Sequence, residues 1–161
     1  MDIALRIQKF LSQKIKAYKI QQKDLVLGTS LSRSTISKLL NAILLNPNII
    51  TILIIATFFE CDIDEVLGRT KFIKNTKKYQ LYVSLTLNDI NNNLFSFLKT
   101  KIQQLNITEY ILEKNCRVGS STITHFINTN SDNRTLSIKV IVKLADYFQI
   151  AIDEMIGRTK I

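Results

Sequence analysis

The two halves of the sequence resemble each other. IDEVLGRTK at 63–71 recurs as IDEMIGRTK at 152–160, a shift of 89 residues. Further upstream, STISKLLN at 34–41 aligns with STITHFIN at 121–128 at a shift of 87, so a two-residue insertion in the polar segment 128–135 accounts for the difference. One insertion between two matching registers predicts an internal duplication. Each copy is expected to be a small domain, because two repeats are too few for a solenoid.

We therefore place the first domain at 1–71, a connector at 72–87 and the second domain at 88–161. Two domains of roughly 70 residues each are large enough to bury a core. The hydrophobic fraction of 46% supplies the apolar side chains, and only four Gly and one Pro occur in the whole chain. So few turn-forming residues predict mostly helix with short connections.

Each half begins with the apolar spacing of an amphipathic helix, at positions 3, 7, 10, 11 and 15 and again at 90, 94, 97, 98 and 102. A short second helix is predicted at 22–28 and at 108–114. A third begins after Ser32, whose hydroxyl is suited to cap it, and runs to about Asn41.

Two further helices are predicted in each half. Asn46, as a cap, and Pro47, at the first helical position, predict the start of the fourth helix. The fifth begins near Asp62 and ends at Gly68, and the second copy ends in the same way at Gly157. The repeated GRTK is thus interpreted as a helix end with a basic tail that is available to phosphate.

The segment IQQKDLVLGTSLSRSTISKLLN at 20–41 resembles the lambda-repressor-like family of helix-turn-helix DNA-binding domains, also called the Cro or xenobiotic-response-element type. Ile20, Gln22, Leu25 and Ile36 match the family's spacing. PNIITILIIATFFECDIDEVLGR at 47–69 is similar to the family's fourth and fifth helices. The resemblance implies an all-α protein of two tandem five-helix domains, and the residue pattern of the connector between them is that of a short β-strand.

In this family the third helix enters the major groove, and residues near its N-terminus contact base edges. The resemblance therefore implies base contacts from Arg33, Ser34, Ser37 and Lys38. It also implies contacts to the DNA backbone from Gln22, Ser32 and Thr35, which would fix the register without reading sequence. The alternative is that these side chains form an ordinary solvated helix face.

The second copy departs from this pattern. At the positions of Gln22, Val26, Arg33 and Lys38 it carries Glu109, Glu113, Ser120 and His125. Residues 1–71 hold 10 basic and 6 acidic side chains, a net +4, whereas 88–161 hold 9 and 7, a net +2. We expect the first copy to be the better DNA reader and the second to be a weak reader or a scaffold. Its candidate secondary contacts are Ser120, Ser121, Thr124 and His125.

Two regions suggest protein interfaces. In the fourth helix the first copy carries Ile50 and Ile54 where the second has Lys139 and Lys143, so an apolar face is expected to pack against the other copy, the connector or a second chain. In the connector, apolar residues alternate with polar ones as in a strand that could pair with another chain. These residues include Leu81, Val83 and Leu85. Continuation of this segment into the helix at 88–104 is the alternative.

The net charge of +9 favours an anionic partner, and nucleic acid is the first candidate. No spacing indicates a catalytic, metal or cofactor site, so we expect no enzyme, no cofactor and no small-molecule ligand. The apolar run at 49–59 is too short to cross a bilayer, and the N-terminus does not resemble a signal peptide, which predicts a cytoplasmic protein.

These observations predict a repressor-like transcriptional regulator that binds double-stranded DNA. Either the two copies form an internal pseudo-dimer, or a homodimer presents two first copies to half-sites about 34 Å apart. The alternative is a protein-interaction module, such as an antitoxin-like or anti-repressor partner, whose helix-turn-helix units have lost DNA binding.

Overall fold

The computed structural model describes residues 2–73, 82–129 and 135–159. The chain divides into two compact units, Met1–Asn75 and Thr76–Ile161, which are considered separately. Within the described ranges the secondary structure is helical and contains no strand, which confirms the all-α prediction. None of the helices in these ranges is long and apolar enough to cross a membrane.

Residues 2–73 of unit 1 form five α-helices and, after the fifth, a 3-10 turn at Thr70–Phe72. The helices are α1 (Ile3–Tyr18), α2 (Gln22–Thr29), α3 (Arg33–Leu40), α4 (Ile49–Phe58) and α5 (Ile63–Val66). Helix α1 packs against α3 and α5, and α2 packs against α3 and α4. The core between them is built from fully buried aliphatic side chains, each worth about 1.5–3 kcal/mol of transfer free energy. They include Ile7, Leu11, Leu25, Ile36 and Ile52.

Unit 2 has a similar set of helices. They are α6 (Leu87–Leu105), α7 (Glu109–Cys116), α8 (Thr122–Asn128), α9 (Ile138–Tyr147) and α10 (Ile152–Met155). Helix α7 packs against α8 and α9, and α6 packs against α8 and α10. The fully buried core residues include Ile90, Leu94, Leu112, Ile123 and Ile141.

The caps of the third and fourth helices differ in how well they follow the sequence prediction. Ser32 caps α3 as predicted, because its Oγ accepts the Thr35 amide at 3.0 Å. The predicted start of the fourth helix is wrong by two residues. Asn48 is the cap, since its Oδ1 accepts both the amide of Thr51 at 2.8 Å and its hydroxyl at 2.9 Å, and Pro47 lies outside the helix.

The repeated GRTK ends each unit with a buried ion pair. Arg69 pairs with Asp64, and Arg158 pairs with Asp153 at 2.7 Å. Both arginines are buried, and Arg158 is only 1% exposed. The prediction that this basic tail is available to phosphate is therefore wrong for both arginines, because each forms a buried ion pair with the aspartate five residues earlier.

An aromatic ring covers each of these arginines. Arg69 lies 4.2 Å from the ring centroid of Phe72, just after α5. In unit 2 the ring belongs to Tyr82, which precedes α6 and lies 3.8 Å from Arg158. The ring that covers the arginine thus comes from the end of unit 1, but from the segment before the first helix in unit 2.

The connector residues 82–86 form neither a strand nor a continuation of α6. Tyr82 forms one isolated antiparallel bridge with Thr159, and the Val83 amide donates to the Arg158 carbonyl at 2.8 Å. The amide of Val83 is thus bonded within its own unit, and the pairing of this segment with another chain stays a prediction. Val83 and Leu85 are half-buried, and α6 begins only at Leu87. Leu81 lies outside the described residues.

A side chain from the first helix of each unit binds the end of the fifth. Arg6 Nη1 donates to the Leu67 carbonyl at 3.3 Å, and Asn93 Nδ2 donates to the Ile156 carbonyl at 2.8 Å. The following residues, Gly68 and Gly157, have φ of +63° and +75°. Both glycines therefore end their helices in the left-handed conformation that the sequence predicted.

Candidate nucleic-acid interface

The turn between α2 and α3 forms without a glycine. Ser30, directly after α2, adopts the left-handed conformation with φ of +57°. Thr29 supports the turn: its hydroxyl donates to the Leu25 carbonyl at 2.5 Å and accepts the Leu31 amide at 3.2 Å. These two hydrogen bonds hold the turn that links the two helices.

Helix α3 is fixed by its apolar face and leaves the opposite face open. Ile36 and Leu39 are buried, and α3 contacts both α1 and α2. The side chains predicted to contact DNA project from the remaining positions. Ser32, Arg33, Ser34 and Lys38 are exposed, and Gln22, Thr35 and Ser37 are half-buried.

The structure brings the N-termini of α2 and α3 together. Gln22 Nε2 donates to the Arg33 carbonyl at 3.4 Å, so the residue predicted to contact the DNA backbone lies beside the first residue predicted to contact bases. The Ser32 and Thr35 hydroxyls hydrogen-bond to each other at 2.9 Å. Within the part of the chain that the structure describes, neither Arg33 nor Lys38 forms an ion pair. Their charges are thus available to an external anion.

The surface of unit 1 is basic because its acids are used internally. Seven cationic side chains of residues 2–73 are exposed, against two carboxylates, those of Asp2 and Glu60. Asp24 accepts the Gln21 amide at 2.7 Å, Asp64 pairs with Arg69, and Glu65 lies 2.8 Å from Lys14. The exposed cations are Lys9, Lys16, Lys19, Lys23, Arg33, Lys38 and Lys71.

A groove of about 370 Å³ lies next to Arg33 and is lined by Gln22, Lys23, Val26, Leu27 and Arg33. The sequence prediction included only Gln22 and Arg33 from this group. Leu27 stands one helical turn after Lys23 on α2. This spacing, visible in the sequence, places the two side chains next to each other on one face of the helix.

The corresponding surface of unit 2 has a different start to its third helix. Helix α8 begins at Thr122, because Ser121 adopts a left-handed conformation with φ of +64°. Ser120 and Ser121 therefore lie in the turn, whereas their counterparts Arg33 and Ser34 lie on α3. Thr124 is half-buried and His125 is exposed, both on α8.

The N-terminus of α8 is occupied by a buried carboxylate. Glu113, which is 3% exposed, accepts the amides of Ile123 and Thr124 at 2.8 Å and that of Ser121 at 3.0 Å. Burial raises the pKa of the Glu113 carboxyl, but these hydrogen bonds outweigh it, so the pKa lies below its ordinary value. The sequence marked Glu113 as a departure from the family pattern but did not predict this contact.

The predicted interface residues of α4, Ile50 and Ile54, are half-buried in unit 1. At the corresponding positions of α9, Lys139 and Lys143 are exposed, and Lys143 Nζ donates to the Arg117 carbonyl at 2.5 Å. Helix α9 is thus amphipathic as predicted, whereas α4 carries no charged side chain.

Comparison with known proteins places this architecture in a family. The Cro/C1-type HTH DNA-binding domain matches residues 10–71. An uncharacterized HTH-type transcriptional regulator of Rickettsia prowazekii is 39% identical over 72 residues, which cover 43% of this chain and 78% of that protein. A second such regulator, from Rickettsia conorii, is also 39% identical over 72 residues and is covered to 66%. No solved structure matches the chain significantly. The chain belongs to the family of HTH-type regulators with a Cro/C1-type DNA-binding domain.

Proposed function

We propose that this protein is a repressor-like transcriptional regulator that binds double-stranded DNA with sequence specificity, mainly through α3 of unit 1. The observation that carries the proposal is the open face of α3, where Arg33 and Lys38 are exposed and free of carboxylate partners among the described residues. An arginine at this position can bond guanine O6 and N7 together, which gives base discrimination.

We also propose that unit 2 is a second, duplicated helix-turn-helix domain. The bounds of α2 and α7 coincide at a shift of 87 residues, and those of α4 and α9 coincide at a shift of 89. The buried Asp–Arg pair and the contact from the first helix to the end of the fifth occur in both units. These shared contacts support common descent of the two halves better than the sequence identities alone.

Unit 2 is the weaker DNA reader in this proposal. Glu113 uses the N-terminal amides of α8 that would otherwise be available to an anion, and it adds a negative charge behind them. Arg33 has Ser120 as its counterpart, in the turn and not on the helix. A negative charge close to DNA opposes the phosphate attraction that supplies much of the affinity.

Because each chain carries one strong recognition helix in this proposal, we propose a homodimer in place of an internal pseudo-dimer. Two first units would then contact half-sites about one helical turn, roughly 34 Å, apart. The Ile50 and Ile54 face of α4 is the proposed contact between chains, since it is apolar where α9 is charged.

Selection of bound duplexes from a random pool with the full-length chain tests this function. The proposal predicts enrichment of a defined sequence, with a binding constant that falls steeply as salt rises. Absence of binding to any duplex at low salt would contradict it and favour the protein-interaction alternative.

A further inference from the structure

A pocket of unit 1 lies away from the residues proposed to contact DNA. It has a volume of about 200 Å³ and is lined by Tyr18, Ile20, Phe58, Phe59 and Glu60. These residues come from the last positions of α1 and α4 and from the chain directly after them. Pockets for drug-sized ligands measure about 300–1,000 Å³, so this one suits a smaller molecule.

Three aromatic rings form most of the pocket wall. The ring centroid of Phe59 lies 5.9 Å from that of Tyr18 and 4.8 Å from that of Phe58. Phe59 is buried, whereas Tyr18 is 58% exposed and Phe58 is half-buried. The faces of aromatic rings carry negative partial charge and attract cations. The rings therefore favour a cation that also carries apolar groups.

A carboxylate adds a full negative charge to the pocket. Glu60 is exposed and forms no ion pair with any described residue. The other exposed carboxylate of residues 2–73 belongs to Asp2, which accepts the Ala4 amide at 3.0 Å. Glu60 thus places a negative charge beside aromatic rings on a unit whose surface is otherwise basic. Its charge complements a cationic ligand and opposes an anionic one.

The lysines near these rings leave the pocket open to an external cation. Lys14 Nζ lies 5.9 Å from the ring centroid of Tyr18, but it pairs with Glu65 at 2.8 Å. Its charge is therefore neutralised within the unit. Lys19 is exposed and does not line the pocket. The position of Lys14 also shows that this aromatic cluster accommodates an ammonium group.

We propose that this pocket binds a small organic ammonium ion. The rings of Tyr18 and Phe58 contact its alkyl groups, and Glu60 faces its charge. The inference goes beyond the proposed function and does not depend on it. It also replaces the expectation that the chain binds no small molecule.

Gly28 fixes one wall of the pocket. A side chain at Gly28 would overlap the ring of Phe58, so the glycine allows this ring to pack directly against α2. Helix α2 in turn packs against α3. A ligand that contacts Phe58 therefore touches a ring that also packs on the first helix of the helix-turn-helix.

Unit 2 lacks the two exposed groups that suit a cation. The counterpart of Tyr18 at a shift of 87 is Leu105, and the counterpart of Glu60 at a shift of 89 is Gln149. One ring and the negative charge are thus both missing there. Two single substitutions that copy these residues into unit 1 therefore remove the proposed contacts one at a time.

The test titrates the full-length chain with choline, a quaternary ammonium ion, at constant ionic strength and follows the backbone amide resonances by NMR. A parallel titration uses 3,3-dimethylbutan-1-ol, in which a carbon atom replaces the ammonium nitrogen of choline and removes its charge. We expect choline to shift the resonances of Tyr18, Phe58 and Glu60 in a saturable way. The uncharged alcohol should bind at least about tenfold more weakly.

Variants locate the contacts. Glu60→Gln and Tyr18→Leu should each weaken choline binding about twofold to fivefold, because each removes one exposed interaction with the cation. Both residues are exposed, so neither substitution is expected to unfold the unit. The matched control is Asp2→Asn, which removes the other exposed carboxylate but keeps the oxygen that caps α1. It should leave the choline affinity unchanged.

Three results would overturn the inference. They are equal binding of choline and the uncharged alcohol, an Asp2→Asn loss as large as that of Glu60→Gln, and absence of choline-dependent shifts at the lining residues. None of them bears on DNA contact by α3, which Arg33→Ala tests separately.

Discussion

The Oε1 atom of Glu113 accepts a hydrogen bond from the backbone amide of Ile123 at 2.8 Å. A side chain of α7 thus caps the N-terminus of α8 within unit 2. In unit 1 the position of Glu113 is held by Val26, and α3 is capped by the hydroxyl of Ser32. The N-terminus of α3 is therefore capped by a neutral hydroxyl, whereas the N-terminus of α8 is capped by a buried carboxylate.

Replacing Glu113 by Gln should destabilise unit 2. The amide keeps one acceptor oxygen but loses the second acceptor and the charge, and hydrogen bonds to charged groups contribute about 1.5–3 kcal/mol each. We expect a loss of about 2 kcal/mol in the free energy of unfolding, measured by urea titration. The matched control is Glu109→Gln on the same helix. Glu109 is half-buried, and its replacement should change the free energy of unfolding by less than about 0.5 kcal/mol. Equal effects of the two variants would contradict the capping role.

Glu113 should also make stability depend on pH in the acid range. Its pKa is lower in the folded chain than the ordinary value of 4.5. The unfolded chain therefore binds the proton more readily, and the stabilisation is complete above 4.5 and lost as the pH falls towards the lowered pKa. Urea titrations of the wild type and Glu113→Gln between neutral and acid pH measure this. Their difference should shrink below the ordinary pKa, and a constant difference would refute the assignment.

Ser30→Gly should stabilise unit 1. Ser30 has φ of +57°, and the left-handed conformation costs a residue with a Cβ about 1–2 kcal/mol. Because glycine also loses more conformational entropy on folding, we expect a net gain of about 0.5–1 kcal/mol, seen as a higher melting temperature. Ser12→Gly, at an exposed position inside α1, should instead lower stability by a similar amount. A destabilising Ser30→Gly would show that the turn does not have the described conformation.

If the Ile50 and Ile54 face joins two chains as proposed, the double variant Ile50→Lys, Ile54→Lys should dissociate the homodimer into monomers. It introduces on α4 the lysines that α9 carries at its corresponding positions, Lys139 and Lys143. Sedimentation velocity at matched concentrations measures the change. Ile43→Lys is the control, because Ile43 is 63% exposed and lies outside α4. Wild-type and variant chains that sediment as the same stable monomer would rule out this interface.

Local sequence signals predicted most of the helices. The apolar spacing of α1 and the Ser32 cap were correct, because both depend on residues within one or two turns of each other. The start of α4 was missed because Asn46 and Asn48 flank the same proline, and Asn48 is selected by its double contact to Thr51.

Contacts between distant residues were not predictable in the same way. The carboxylate of Glu113 meets amides eight to eleven residues later, and only the fold shows that they face each other. The repeated spacing of Asp64 to Arg69 and Asp153 to Arg158 was visible in the sequence. That these residues form buried ion pairs could not be predicted, because the sequence does not show whether a given arginine is buried.

The most direct test of the central claim compares Arg33→Ala with His125→Ala in binding to the selected duplex, using full-length chains and one fixed salt concentration. If DNA is read mainly by α3, Arg33→Ala should cost about 1–3 kcal/mol of binding free energy and relax sequence preference at one base pair. His125→Ala, on α8, should change the affinity for the same duplex by less than about threefold. The reverse order, with His125→Ala causing the larger loss and Arg33→Ala leaving affinity and preference unchanged, would contradict the account.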